Sequence, residues 1–101
     1  SGIEGYQSAF RARSIEPILR KYGKNLQGLV DAGDRFQAKK SAQGDAGVII
    51  EAFPGVPVLI TLWSGDDEFG PDANMLFDRS ITGIFCTEDI VVLAQIIAGK
   101  L

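Results

Sequence analysis

The sequence predicts an α+β fold, a small antiparallel sheet of three or four strands packed with N-terminal helices and a C-terminal helix. Three observations carry this. Residues 57–63, Pro-Val-Leu-Ile-Thr-Leu-Trp, are apolar or β-branched at nearly every position, as in the most buried strand of a sheet. Two shorter β-like runs precede it, divided by turn-forming residues. Both ends of the chain carry apolar residues at helical spacing.

Tyr6, Phe10, Ile15, Ile18, Leu19 and Tyr22 recur at spacings of three to five, predicting a helix over about 5–22. Pro17 interrupts it. Either the helix kinks there, or a second helix starts with Ser14 as its N-cap and Pro17 in its first turn, and Gly23 supplies a stop. Leu26, Leu29 and Val30 mark a second short helix ending near Gly33. Residues 36–40 and 46–53 read as two strands joined by Ser41-Ala-Gln-Gly-Asp45, an antiparallel hairpin.

Pro54-Gly55 turns the chain into residues 57–63, with Ile50, Leu59 or Ile60, and Leu62 expected in the core. Met75 to Phe77 adds a short segment, and Ile81 to Phe85 a further apolar one. Thr87-Glu88-Asp89 has the composition of a capped helix start, and Ile90, Leu93 and Ile97 belong to the apolar face that follows. At 101 residues, with no repeat or linker, the chain 1–101 reads as a single α+β domain.

Composition excludes several function classes. An apolar fraction of 46% with 23% charged residues is that of a globular chain, which removes whole-chain disorder. A net charge of −3 leaves no footprint for nucleic acid, and Arg11, Arg13, Arg20, Lys21 and Lys24 read as a solvated helix face. Without histidine, no Ser-His-Asp or Cys-His constellation can form. The single Cys86 rules out an intrachain disulfide or a four-cysteine cluster held by this chain alone, and favours a reducing compartment. It precedes a predicted helix start, where thiolates are stabilised, yet a small buried Cys is the commoner case. With no membrane span or signal-like segment in this stretch, a cytoplasmic location is expected.

One stretch is a candidate site. Between Gly65 and Asp78 stand Asp66, Asp67, Glu68, Asp72 and Asp78 with no basic residue among them, delivered to the surface by the core strand. Read as function, Asp66, Glu68, Asp72 and Asp78 would hold a divalent cation such as calcium or magnesium, since hard ions take several carboxylate oxygens at once. The spacing is not that of an EF-hand. Read as structure, Asp66 or Asp67 caps the turn leaving the sheet, Phe69 and Phe77 pin the loop to the core, and Asp78 starts a turn; this is the favoured reading. Trp63, with Asp66, Asp67, Glu68 and Asp78, completes the ligand-binding candidates: its ring could stack on a ligand, but at the end of a core strand packing is the commoner role. No catalytic residue is assigned.

Gly44-Asp45, Phe53-Pro54-Gly-Val-Pro57, Leu62-Trp63, Gly65-Asp-Asp-Glu-Phe69, Leu76-Phe-Asp78 and Glu88-Asp89 fall in an order and spacing that resembles the family catalogued as domain of unknown function 3786. The resemblance covers nearly the whole chain. It implies an anaerobic bacterial or archaeal source and no established activity. It also implies relatives longer than this chain, some with a four-cysteine iron–sulfur domain like those of corrinoid proteins, so residues 1–101 look like the C-terminal half of the family domain. Gly70-Pro71-Asp72 stands where the family has Pro-Ala after Glu-Phe, a departure that concerns the local shape of the loop.

Two functions follow as expectations. One is a non-enzymatic binding or accessory domain serving a protein partner that carries an iron–sulfur or corrinoid centre, with no cofactor held by this chain itself. The other is a metal-ion-binding domain or metal-dependent hydrolase using the loop 65–78. If an N-terminal portion is absent, the apolar groups of residues 3–22 need cover, and a homodimer through them is the simplest closed solution.

Overall fold

Four antiparallel strands run in the order β1-β2-β3-β4, and every described helix lies over one face of the sheet. The computed structural model describes residues 7–78 and 87–101, without the side chains of Thr87 and Glu88. The strands are β1 (Lys39–Ser41), β2 (Ala46–Phe53), β3 (Val56–Trp63) and β4 (Asp72–Phe77). The helices are α1 (Glu16–Tyr22), α2 (Leu26–Asp34) and α3 (Thr87–Lys100). This is the α+β architecture that the sequence predicts.

The N-terminal helix shows how one proline reshapes a helix without breaking it. Residues 7–10 are helical, Arg11–Ile15 form a π turn, and α1 continues directly. Pro17 has no N–H to offer Arg13, so a regular ladder would lose a bond here. The π turn sets the preceding bonds one residue wider, with the Glu16 N–H donating to the Arg11 carbonyl, and Pro17 falls in the first turn of α1, where its missing donor costs little. Ser14 is not an N-cap, so of the two alternatives the sequence left open the second helix start is not the one taken. The Ser14 hydroxyl turns back and donates to the Phe10 carbonyl, satisfying a buried side chain within its own helix.

Gly23 ends α1 in a right-handed conformation, and its lack of a side chain matters for space: a Cβ would lie 2.6 Å from the Leu19 carbonyl oxygen. Asn25 caps α2, its Oδ1 accepting from the Gly28 N–H at 3.1 Å. Buried Gly33 lets α2 approach β2, because a Cβ there would sit 3.1 Å from Val48 Cγ1.

Alternation along the strands divides inside from outside. Val48 and Ile50, then Val58, Ile60 and Leu62, then Ala73 and Met75 face the helices and are buried. Ile15 and Ile18 from the N-terminal helix, Leu29 from α2, and Ala94, Ile97 and Ala98 from α3 close over them. Leu101 ends this layer, its carbonyl oxygen accepting from the Tyr22 hydroxyl and from Arg35 at 3.1 Å, which ties the end of α3 to α1 and α2.

Two expectations change here. Ile15 and Ile18 belong to the chain's own core, which removes the reason for a homodimer through residues 3–22 over the part described. Asp72 lies within β4, opposite Trp63, where a loop residue was expected, so the strand is longer than Met75–Phe77. Ile81–Phe85 and Cys86, and the capping role of Thr87, lie outside what the structure describes. On the outer margin of β4, the N–H groups of Ala73 and Met75 donate to the side chains just before them, Asp72 Oδ1 at 2.9 Å and Asn74 Oδ1 at 2.9 Å. Among the described residues no helix is long and apolar enough to cross a membrane.

Candidate functional site

The junction of β3 with the acidic loop is held by backbone hydrogen bonds to side chains. Asp45, in the β1–β2 turn, accepts through Oδ2 from the Ser64 N–H at 2.8 Å and the Ser64 hydroxyl at 3.0 Å, while its own N–H donates to the Leu62 carbonyl. The first residue after β3 is therefore fixed to the opposite hairpin. Gly44, at φ 73°, permits that turn, and a Cβ there would come within 3.1 Å of the Leu62 oxygen.

Asp66 organises the loop itself. Its Oδ1 accepts from the N–H groups of Glu68 at 2.8 Å and Phe69 at 2.7 Å, and its N–H donates to the Phe69 carbonyl at 2.7 Å. The amides of Phe69 and Glu68 hold its carboxyl below the usual aspartate range, because they bind the charged form. Gly65 completes the closure, for a Cβ would stand 2.8 Å from the backbone of Phe69, Gly70 and Pro71. The structural reading of Asp66 as the residue that caps this turn is met.

A lowered pKa means that the bonds form fully above the ordinary aspartate value and are lost as pH falls through the folded-state value. Acid titration followed by amide NMR is expected to move Glu68 and Phe69 together at a midpoint below 3.8, the ordinary value for this group. Asp66→Ala should abolish that transition and release both amides. A midpoint at or above the ordinary value would contradict the arrangement.

The other candidates are distributed, not convergent. Asp67 and Glu68 are exposed in the loop. Asp72 faces Arg11, whose Nη2 lies 3.1 Å from Oδ1, and Arg11 also reaches Glu16 at 3.5 Å. Asp78 is exposed just past the end of β4. Among the described residues, no group of three or more acidic or cysteine side chains is placed to hold a metal ion. Asp66, Glu68, Asp72 and Asp78 thus do not come together as the cation reading requires.

Two aromatic assignments are corrected. Trp63 is not packed in the core; it stands 39% exposed, because Val58, Ile60 and Leu62 take the inward positions and the alternation turns position 63 outward. Phe69 does not pin the loop. It is 71% exposed at the tip, where the Asp66 bonds fix the backbone without help from its ring, whereas Phe77 packs partly against the core as expected.

The outward face of the sheet is the feature that sequence reasoning missed. Ile49, Leu59 and Leu76 form one row across β2, β3 and β4, with Leu76 about half exposed, and Trp63 lies farther along β3 on the same side. Thr61, between them on β3, is buried, and its hydroxyl has no hydrogen-bond partner. The signal was the pairing of Leu59, Thr61 and Trp63 at every second position, hidden by equally apolar neighbours.

No curated protein and no solved structure matches this chain. A family model does, and with its match running over residues 2–100 the chain belongs to the family described as Domain of unknown function (DUF3786).

Proposed function

We propose that the chain is a non-enzymatic binding domain that docks a protein partner on the outward face of its sheet. The observation that carries this is the row of Ile49, Leu59 and Leu76 with Trp63, on the face opposite all described helices. Partly exposed apolar side chains grouped on one face favour association over solvation. Trp63 adds an aromatic ring of the kind enriched at the centre of interfaces. The family resemblance suggests the partner class: a protein carrying an iron–sulfur or corrinoid centre, in an anaerobic, cytoplasmic setting, with this chain as the C-terminal part of a longer domain.

Trp63 is the single tryptophan, so its emission reports on this face directly. Titration with a four-cysteine iron–sulfur domain carrying its cluster should shift or quench that emission to saturation. Leu76→Glu, at an exposed position, should weaken binding about tenfold or more, since it removes an apolar contact and buries a charge. An emission unchanged at high partner concentration would remove the reading.

A further inference from the structure

A second surface lies at the opposite end of the sheet. α3 packs on the π turn and α1, and its outer stripe stands apart from the end of β2. The gap is a groove of about 310 Å³ whose lining includes Phe36, Ile50, Phe53, Leu93, Ile96 and Lys100. Phe36 and Phe53 are more than two-fifths exposed, and Ile96 is 50% exposed. A dry cavity of about 150 Å³ lined by such side chains accepts a benzene ring, so this one has room for an aromatic side chain.

The charges beside it are mainly positive. Lys100 lines the groove, and the Arg35 guanidinium lies over the Phe36 ring, 5.9 Å from its centre, while binding the Leu101 carbonyl. Neither forms an ion pair with an Asp or Glu side chain among the described residues. Glu51 also lines the groove, but its Oε1 is turned to the β2–β3 turn, where it accepts from the Gly55 N–H at 2.7 Å. An occupant that presents an aromatic ring flanked by carboxylates fits both the shape and the charge.

The same chain carries that feature. Phe69 projects from a loop fixed by Asp66, with exposed Asp67 and Glu68 beside it. A loop whose backbone is already fixed loses little freedom when its tip is buried. We propose that the groove takes the Phe69 loop tip of a second copy, so that the protein associates head to tail. The two features cannot meet within one molecule, because β3 separates them by its length, about 25 Å for eight extended residues. A knob and a hole on different surfaces make a heterologous contact, which grows into rings or rows. It involves neither the outward sheet face nor any partner protein, so it stands or falls apart from that reading.

Sedimentation velocity on the full chain over rising concentration tests it. The weight-average sedimentation coefficient should climb with concentration, and climb less at high salt, where charge pairing is screened. Phe69→Ala and Ile96→Glu, both at exposed positions, should each weaken association about tenfold or more. Mixed together, the two variants should form a one-to-one complex and nothing larger, because each keeps what the other has lost. A wild-type chain that stays monomeric throughout would overturn the proposal. Continued association of Phe69→Ala would also overturn it, and so would two folded variants that fail to pair.

Discussion

Removal of residues 87–101 is expected to abolish cooperative unfolding. α3 contributes Val91, Ala94, Ile97 and Ala98 to the buried set, and Leu101 follows directly. A 101-residue domain has a modest core, so one helix is a large share of its apolar burial. The loss also reaches further, because the Leu101 carbonyl accepts from Tyr22 and Arg35, and both donors would lose that acceptor. Net stability of such domains is about 5–15 kcal/mol, less than the combined effect of these losses. Circular dichroism should show a broad, shallow thermal transition, and a truncated chain that still melts sharply would contradict the packing described.

Ile60→Ala should have the largest effect of any single large-to-small change in the sheet, about 3–5 kcal/mol. Ile60 is fully buried at the centre of β3, between Val48 of β2 and Met75 of β4, with both neighbouring strands bonded to it. Neither side can collapse into the space without breaking a ladder. At about 4–8 °C per kcal/mol for a domain of this size, the melting temperature should fall by at least about 12 °C. Trp63→Ala makes the contrast: its ring is 39% exposed, so it should cost about 1 kcal/mol or less. A reversal of that order, measured by denaturant unfolding, would place the wrong residues inside.

Much of this fold is legible in the sequence. The turn at Pro54-Gly55 was readable because Gly55 takes φ 81°, a region few other residues enter cheaply, and because prolines do not sit within central ladders. The helix over 87–100 was readable from its apolar spacing. What failed was the assignment of inside and outside along β3. Val58 through Leu62 are apolar or β-branched without a break, so a period of two leaves no trace in hydropathy, and only strand pairing reveals that Trp63 points outward. Phe69 was misplaced for a related reason: large aromatics near a core strand are usually buried, and the sequence does not announce that Asp66 and Gly65 close the loop without the Phe69 ring. The π turn is a compromise among several backbone bonds around Pro17, a detail below the reach of residue spacing.

The margin of β4 bears on how this sheet behaves in crowded solution. A strand at the end of a sheet ordinarily offers a template on which another chain can lay down a further strand, the first step toward fibrils. Here Asp72 and Asn74 occupy the N–H groups of Ala73 and Met75 from within the same strand, and Asp72 adds a charge at that margin. At the other end β1 is three residues long and begins with two lysines. Among the described residues the two end strands therefore offer little open backbone on which a fibril could grow, so the association proposed above would rest on side chains and stay reversible.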